Sequence, residues 1–162
     1  ILVQQQKALN MLDIATKFVS KNSTLPILQN IYLKASIDSL LIRATDMEKY
    51  VEIEIPCEVQ IEGAITINAK TFLDILKTIE SENIELSVDQ KTNIMTIKTP
   101  KDTFDINGIA ASEYVALPEV PQENSFVLDT LAFSKGIDHV EYAVTEKSFS
   151  PVLTGVLVKT GK

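Results

Sequence analysis

One cysteine, one histidine and five glycines are all that 162 residues offer of three residue types on which catalytic and cofactor sites are often built. Cys57 has no partner for an internal disulfide, which makes a reduced, cytoplasmic setting the default. Its simplest role is a small residue beside a strand end. His139 falls in a predicted helix with Asp138 and Glu141 near it, but Asp138 is its sequence neighbour and points away, so no orienting pair forms. A single histidine and a single cysteine cannot supply metal-ligand spacing. The glycines build neither G-x-x-x-x-G-K-S/T nor G-x-G-x-x-G, so no phosphate cradle is expected. Asp46 and Glu48 place two carboxylates in one loop without a convergent partner, and Asp46 suits a turn. The expectation is a protein with no catalytic residue, no metal and no cofactor. Apolar runs stop at strand length, which excludes a membrane-spanning helix. No charged segment followed by an apolar one opens the chain, so secretion is not indicated. The chain begins at Ile1 rather than Met, which points to residues missing before it.

What the chain does have is a repeat. Pro26-Ile27-Leu28-Gln29-Asn30-Ile31-Tyr32-Leu33-Lys34 returns 125 residues later as Pro151-Val152-Leu153-Thr154-Gly155-Val156-Leu157-Val158-Lys159. Three of nine positions are identical and three more exchange Ile or Leu for Val. Upstream, without a gap, Ile1-Leu2-Val3 falls on Phe126-Val127-Leu128, Asp13 on Asp138 and Val19 on Val144. Self-similarity at one offset marks a repeated structural unit. The second copy stops at its position 37, so the chain reads as one domain followed by the truncated start of another.

Within the first copy the pattern doubles again. Ala8, Leu12, Ala15 and Val19 have helical spacing, predicting a helix over 4–20 that Pro26 prevents from continuing. Strands are expected over 27–35 and 40–42. Over 50–59, Val51, Ile53 and Ile55 alternate with Glu52 and Glu54, as in a strand wet on one face. A strand over 64–67 restarts the order. Asn68 can cap a helix whose apolar face is Phe72, Ile75, Leu76 and Ile79. Strands over 84–88, 94–98 and 103–106 come next. Residues 1–107 thus hold β-α-β-β-β twice, the pattern of an α+β domain with helices on one face of antiparallel sheets. Residues 108–124, with Gly108, Pro118, Pro121 and several acids, read as a linker. Residues 125–162 open the next copy: a strand over 126–128, a helix over 129–143 and a strand over 152–159. Lacking the sheet that would bury them, they are expected to be disordered, packed on the first domain, or exchanged with another copy.

The net charge of −7 argues at first against a nucleic-acid partner. Its distribution changes that. The helical stretches counted as 4–21 and 69–78 carry Lys7, Lys17, Lys21, Lys70 and Lys77 against Asp13 and Asp74, a balance of +3, which leaves −10 elsewhere. Lys70, Asp74 and Lys77 share the side of their helix away from Phe72 and Ile75. Gln6, Asn10, Asp13 and Lys17 share the polar side of the other. Point charges and amide donors of this kind can meet a polyanion. The same residues also suit an ordinary solvated helix face.

Three runs carry a family resemblance: Thr24-Leu25-Pro26-Ile27-Leu28-Gln29-Asn30-Ile31, Thr45-Asp46-Met47-Glu48, and Ala69-Lys70-Thr71-Phe72-Leu73-Asp74-Ile75. With Ser125-Phe126-Val127-Leu128 they make the chain resemble the bacterial DNA sliding clamp, the beta subunit of DNA polymerase III, over essentially its whole length. The resemblance implies a DNA-clamp fold of duplicated β-α-β-β-β units. It implies a ring of two subunits joined head to tail, helices lining the hole, that encircles duplex DNA and tethers the replicative polymerase as a processivity factor. DNA polymerase III and a clamp loader are then partners of the full-length protein, and catalysis is not its work. Lysine-bearing helices would face phosphates and acidic sheets would face outward, which reconciles −7 with DNA.

By the same resemblance Lys7, Asn10, Lys17, Lys70 and Lys77 are DNA-facing. Lys21 and Asn22 fall in a loop that touches DNA, where the family often carries arginine at the Asn22 position, and Lys147 is the counterpart in the second domain. Thr71, Phe104 and Ile106 match the subunit interface; apolar side chains on an edge strand suit that role and suit ordinary core equally. Leu153 matches one wall of a pocket for partner-protein peptides. The rival reading is a protein-interaction module that never touches DNA and pairs a partner with its edge strand over 103–106.

Overall fold

Apolar residues alternate or recur at helical spacing along the first 107 positions, and the chain folds accordingly. The computed structural model describes residues 1–20, 23–116, 127–145 and 147–159. It divides into one unit over Ile1–Pro118 and another over Glu119–Lys162. The first half of the first unit is β1 (Leu2–Gln4), α1 (Gln5–Ala15), β2 (Asn30–Ser36), β3 (Ser39–Thr45) and β4 (Tyr50–Pro56). The second half repeats the order with β5 (Gly63–Asn68), α2 (Ala69–Thr78), β6 (Asn83–Asp89), β7 (Ile94–Lys98) and β8 (Thr103–Asn107). A two-residue strand, β9 (Ile109–Ala110), comes after them.

The halves exchange their first strands. One antiparallel sheet runs β1-β6-β7-β8 and the other β4-β3-β2-β5-β9. So β1 lies beside the second half's strands, with Val3 opposite Ile84, and β5 beside the first half's, with Ile67 opposite Ile31. Between the sheets and the helices lies one core. Leu12, Ile31, Ile42, Ile65, Ile67, Phe72, Leu76 and Ile97 are all at most 1% exposed. Burying a side chain such as Phe72 is worth about 2–3 kcal/mol. Ala8, Ala15 and Ala69 are also buried, and such small side chains let a helix approach its neighbours closely. Gln5 is the buried polar exception at the start of α1. Its Nε2 donates 2.7 Å to the Leu76 carbonyl in the last turn of α2, one of the carbonyls a helix end tends to leave unpaired.

Three departures from the sequence reading stand out in this unit. The strand expected from residue 27 begins at Asn30, because Pro26–Gln29 form a 3-10 turn closed by Leu28 N–H on the Leu25 carbonyl at 3.1 Å. The expected helix over 4–20 is α-helical only to Ala15 and tightens to a 3-10 turn at Thr16–Phe18. The stretch read as a linker from 108 starts inside the first unit. Gly108 N–H donates to the Asn93 carbonyl at 2.7 Å, and β9 then pairs with β5, Ile109 opposite Thr66. A Cβ on Gly108 would stand 2.6 Å from both the Thr66 carbonyl oxygen and Ile65 Cδ1, so only glycine lets the chain cross between the sheets this closely.

Tyr114 fastens the segment after β9 to the larger sheet. Its hydroxyl donates to the Asn30 carbonyl at 3.3 Å, and its ring lies 5.7 Å from that of Tyr32. Burial pushes its pKa up to about 12 from the usual 10, against a weaker opposing pull from the Thr45 backbone. The fold therefore favours the neutral phenol. Below pH 10 both folded and unfolded states hold the proton and the full contribution is present. As pH rises from 10 toward 12 the unfolded state ionises first and that contribution is lost. Tyr114→Phe should cost about 1 kcal/mol in urea denaturation at pH 7 and should flatten the stability loss across that alkaline window. An unchanged slope would show that Tyr114 is not the group responsible.

In the second unit, the helix expected over 129–143 is α3 (Thr130–Asp138), capped by Asp129 accepting from Ala132 N–H, with a separate 3-10 turn at Glu141–Ala143. The strand expected over 152–159 is not formed among the described residues; Pro151–Thr154 is a 3-10 turn instead. Here the repeat holds at the level of single bonds. Ser20 N–H reaches the Leu28 carbonyl at 2.9 Å, and 125 residues on Thr145 N–H reaches the Leu153 carbonyl at 3.3 Å. Leu153 N–H closes its turn on the Ser150 carbonyl at 3.1 Å, as Leu28 does on Leu25.

Candidate nucleic-acid interface

α1 and α2 pack against each other, and apart from Gln5 their charged and amide residues face solvent. On α1 these are Gln6, Lys7, Asn10 and Asp13, with Lys17 beyond them in the 3-10 turn; on α2 they are Lys70, Asp74 and Lys77. The spacing comes from burying Ala8, Leu12 and Ala15 in one helix and Ala69, Phe72, Leu73 and Leu76 in the other, which turns the intervening residues outward. Asn68 fixes where α2 starts: its Oδ1 accepts from Thr71 N–H at 3.0 Å and from the Thr71 hydroxyl at 3.1 Å.

Electrostatically the lysines are unequal. Lys17 Nζ lies 3.3 Å from Asp13 Oδ2, so its charge is partly answered. Among the described residues, Lys7, Lys70 and Lys77 have no carboxylate within 4 Å and can accept an outside anion. Gln6 Nε2 donates to Asn10 Oδ1 at 2.9 Å, leaving the Asn10 amide nitrogen to donate outward. On the sheets the balance reverses: β4 exposes Glu52 and Glu54, with Arg43 paired to Glu52 across the strands.

The other residues singled out from sequence do not all join this face. Lys21 and Asn22 lie outside the described residues. Lys147 is exposed in the second unit, as is Leu153 at 57% in its 3-10 turn. Thr71 sits exposed in the first turn of α2, its hydroxyl held by Asn68. Among the described residues β8 pairs only with β7, so its outer edge is open. Phe104 on it is half-buried, whereas Ile106 is 5% exposed and belongs to the core.

No catalytic constellation emerges among the described residues. His139 Nδ1 is 2.6 Å from the Lys135 carbonyl at the end of α3. Asp46 Oδ1 accepts from the Lys49 amide and, more weakly, from that of Glu48, which lower its pKa as a turn carboxylate. Burial raises the Cys57 thiol. Among the described residues no cluster of His, Cys, Asp and Glu could hold a metal, and no helix is long and apolar enough to cross a membrane. Sequence reasoning missed the Tyr32–Tyr114 clasp, because a lone tyrosine in an irregular stretch has no periodicity to betray its partner.

A doubled β-α-β-β-β unit with two packed helices and two antiparallel sheets is the α+β architecture of a DNA-clamp domain. Residues 1–118 match the family model described as "DNA polymerase III beta subunit, N-terminal domain", and the chain belongs to that family. Among its relatives is the beta sliding clamp of Halalkalibacterium halodurans, 32% identical over 149 residues, covering 87% of this chain and 39% of the relative. The Bacillus subtilis beta sliding clamp is 30% identical over 162 residues, covering 95% and 43%. The solved Bacillus subtilis sliding clamp superposes with a TM-score of 0.87 at 26% identity, covering 95% of this chain and 42% of that one. A Helicobacter pylori beta clamp bound to a DNA ligase peptide shares the fold, with a TM-score of 0.83 at 23% identity, covering 93% and 42%. The chain therefore spans about two fifths of the length of the relatives it matches.

Proposed function

We propose that this chain is the opening segment of a sliding clamp, a non-catalytic processivity factor that acts in the cytoplasm, encircles duplex DNA and tethers the replicative polymerase. One observation carries the reading: two packed helices present Lys7, Lys70 and Lys77 without ion-pair partners among the described residues, while the sheets behind them are acidic. Such contacts are backbone-directed, sequence-independent and salt-sensitive, which suits movement along DNA. Lys17 and Asn10 extend the face, and Lys21, Asn22 and Lys147 supply loop contacts. The open edge of β8, with Phe104 beside it and Thr71 on the adjoining helix, joins a second subunit head to tail. Ile106 supports that edge from within the core. Leu153 contributes to a pocket for partner peptides, the type of ligand bound by the Helicobacter pylori relative. DNA polymerase III and a clamp loader are the proposed partners.

The experiment is retention of the full-length protein on DNA after loading. Protein should stay on a nicked circle and run off the same molecule once it is linearised. Equal loss from both would rule out encirclement and leave the open β8 edge serving a protein partner alone.

A further inference from the structure

Neither helix contributes to a cavity of about 290 Å³ lying between the two sheets. Leu33, Ala35 and Leu40 form one wall and Leu86, Val88 and Met95 the other. A single amide crosses the mouth. Gln90 Nε2 donates to the Ala64 carbonyl at 3.1 Å, passing over Gly63, where a Cβ would stand only 3.1 Å from it. The charged groups of the lining are Glu62, Glu85 and the Ile1 ammonium, which is tied to the Leu86 carbonyl at 2.7 Å; among the described residues no lysine or arginine side chain lines it.

Two isoleucines stand in water at or near this opening. Ile61 belongs to the lining and is 82% exposed. Ile37, at the β2–β3 hairpin turn, is 81% exposed, and its N–H donates to Glu62 Oε1 at 3.1 Å. Ile37 also has φ of 51°, the left-handed region that a β-branched residue disfavours and that glycine or asparagine would occupy more easily. The turn gains nothing from isoleucine, and at that exposure the core gains nothing either. Ile37 and Ile61 together leave apolar surface in water beside an apolar opening.

We propose that the cavity and its isoleucine rim dock an extended peptide segment of a partner protein. A leucine- or phenylalanine-type anchor enters between the sheets, and a flanking lysine or arginine meets Glu62 and Glu85. The volume lies at the low end for small-molecule sites and suits one or two large side chains. The rim spreads the apolar contact beyond the cavity, as a peptide needs. The Ile37 amide orients one Glu62 oxygen and leaves the other free for a cation. The proposal rests on no DNA contact.

A fluorescein-labelled peptide with Leu-Phe flanked by lysines, titrated into the 162-residue chain in near-physiological salt, should bind saturably with Kd on the order of 10–100 µM. Ile37→Asn and Glu62→Gln should each weaken it roughly fivefold to tenfold. Both sites are exposed, and glutamine still accepts from the Ile37 amide, so thermal midpoints should not fall. Replacing Leu-Phe by two alanines should abolish saturable binding. Amide shifts should centre on Ala35, Ala64 and Met95. Wild-type affinity in both variants, equal binding of the alanine peptide, shifts confined elsewhere, or no binding at about 1 mM peptide would each overturn the proposal.

Discussion

Changing Lys7, Lys70 and Lys77 together to glutamate should cut affinity for a duplex of random sequence by on the order of a hundredfold in low salt. Each lysine that neutralises a phosphate releases counterions, so the plot of log affinity against log salt should also become shallower by about 2.7, near 0.9 for each phosphate no longer neutralised. These three are chosen because no carboxylate lies within 4 Å of them among the described residues, whereas Lys17 is held by Asp13 at 3.3 Å. The chain alone should start from weak binding, with Kd of roughly 10⁻⁴–10⁻⁶ M, because lysines that meet only phosphates carry no sequence information. Fluorescence anisotropy across a salt series measures both quantities. An unchanged slope in the triple variant would mean that these helix faces are merely solvated.

The largest stability effect should come from Phe72→Ala, a loss of about 3–5 kcal/mol. Phe72 is 1% exposed on the inward face of α2, within the core that both sheets share. A domain of this size is commonly stable by only about 5–15 kcal/mol, so the variant should lose much of its urea midpoint and unfold easily on warming. Circular dichroism in urea tests this. A loss below about 1 kcal/mol would mean that the site collapses around the missing ring or that α2 is not seated on the sheets.

Much of this fold is legible in the sequence wherever one rule decides one element. Val51, Ile53 and Ile55 alternating with Glu52 and Glu54 specify β4, and Asn68 ahead of Phe72 and Leu76 specifies α2 with its cap. The charge split points to the helices, and Lys7, Lys70 and Lys77 do face solvent there. What could not be read depends on non-local contacts or on single bonds. Pro26 and Pro151 each begin a 3-10 turn rather than a strand, because a carbonyl three residues back is within reach of Leu28 and Leu153. Gly108 looks like linker punctuation, yet its meaning lies in Ile65 and Thr66, more than forty positions away in sequence. Ile106 satisfies the alternation of an edge strand and of a core strand equally; only the packed structure places it inside.

The exchange of first strands has a consequence for how the domain forms. β1 completes the sheet of the second half and β5 completes that of the first, while Gln5 reaches from α1 to the end of α2 at 2.7 Å. Neither half has its own sheet complete, so neither is a folding unit by itself. The first unit should melt in one cooperative step with no half-folded species. Pairing Val3 with Ile84 also closes a loop of about eighty residues before it returns any energy. Such a topology should fold more slowly than its short strands and helices would suggest.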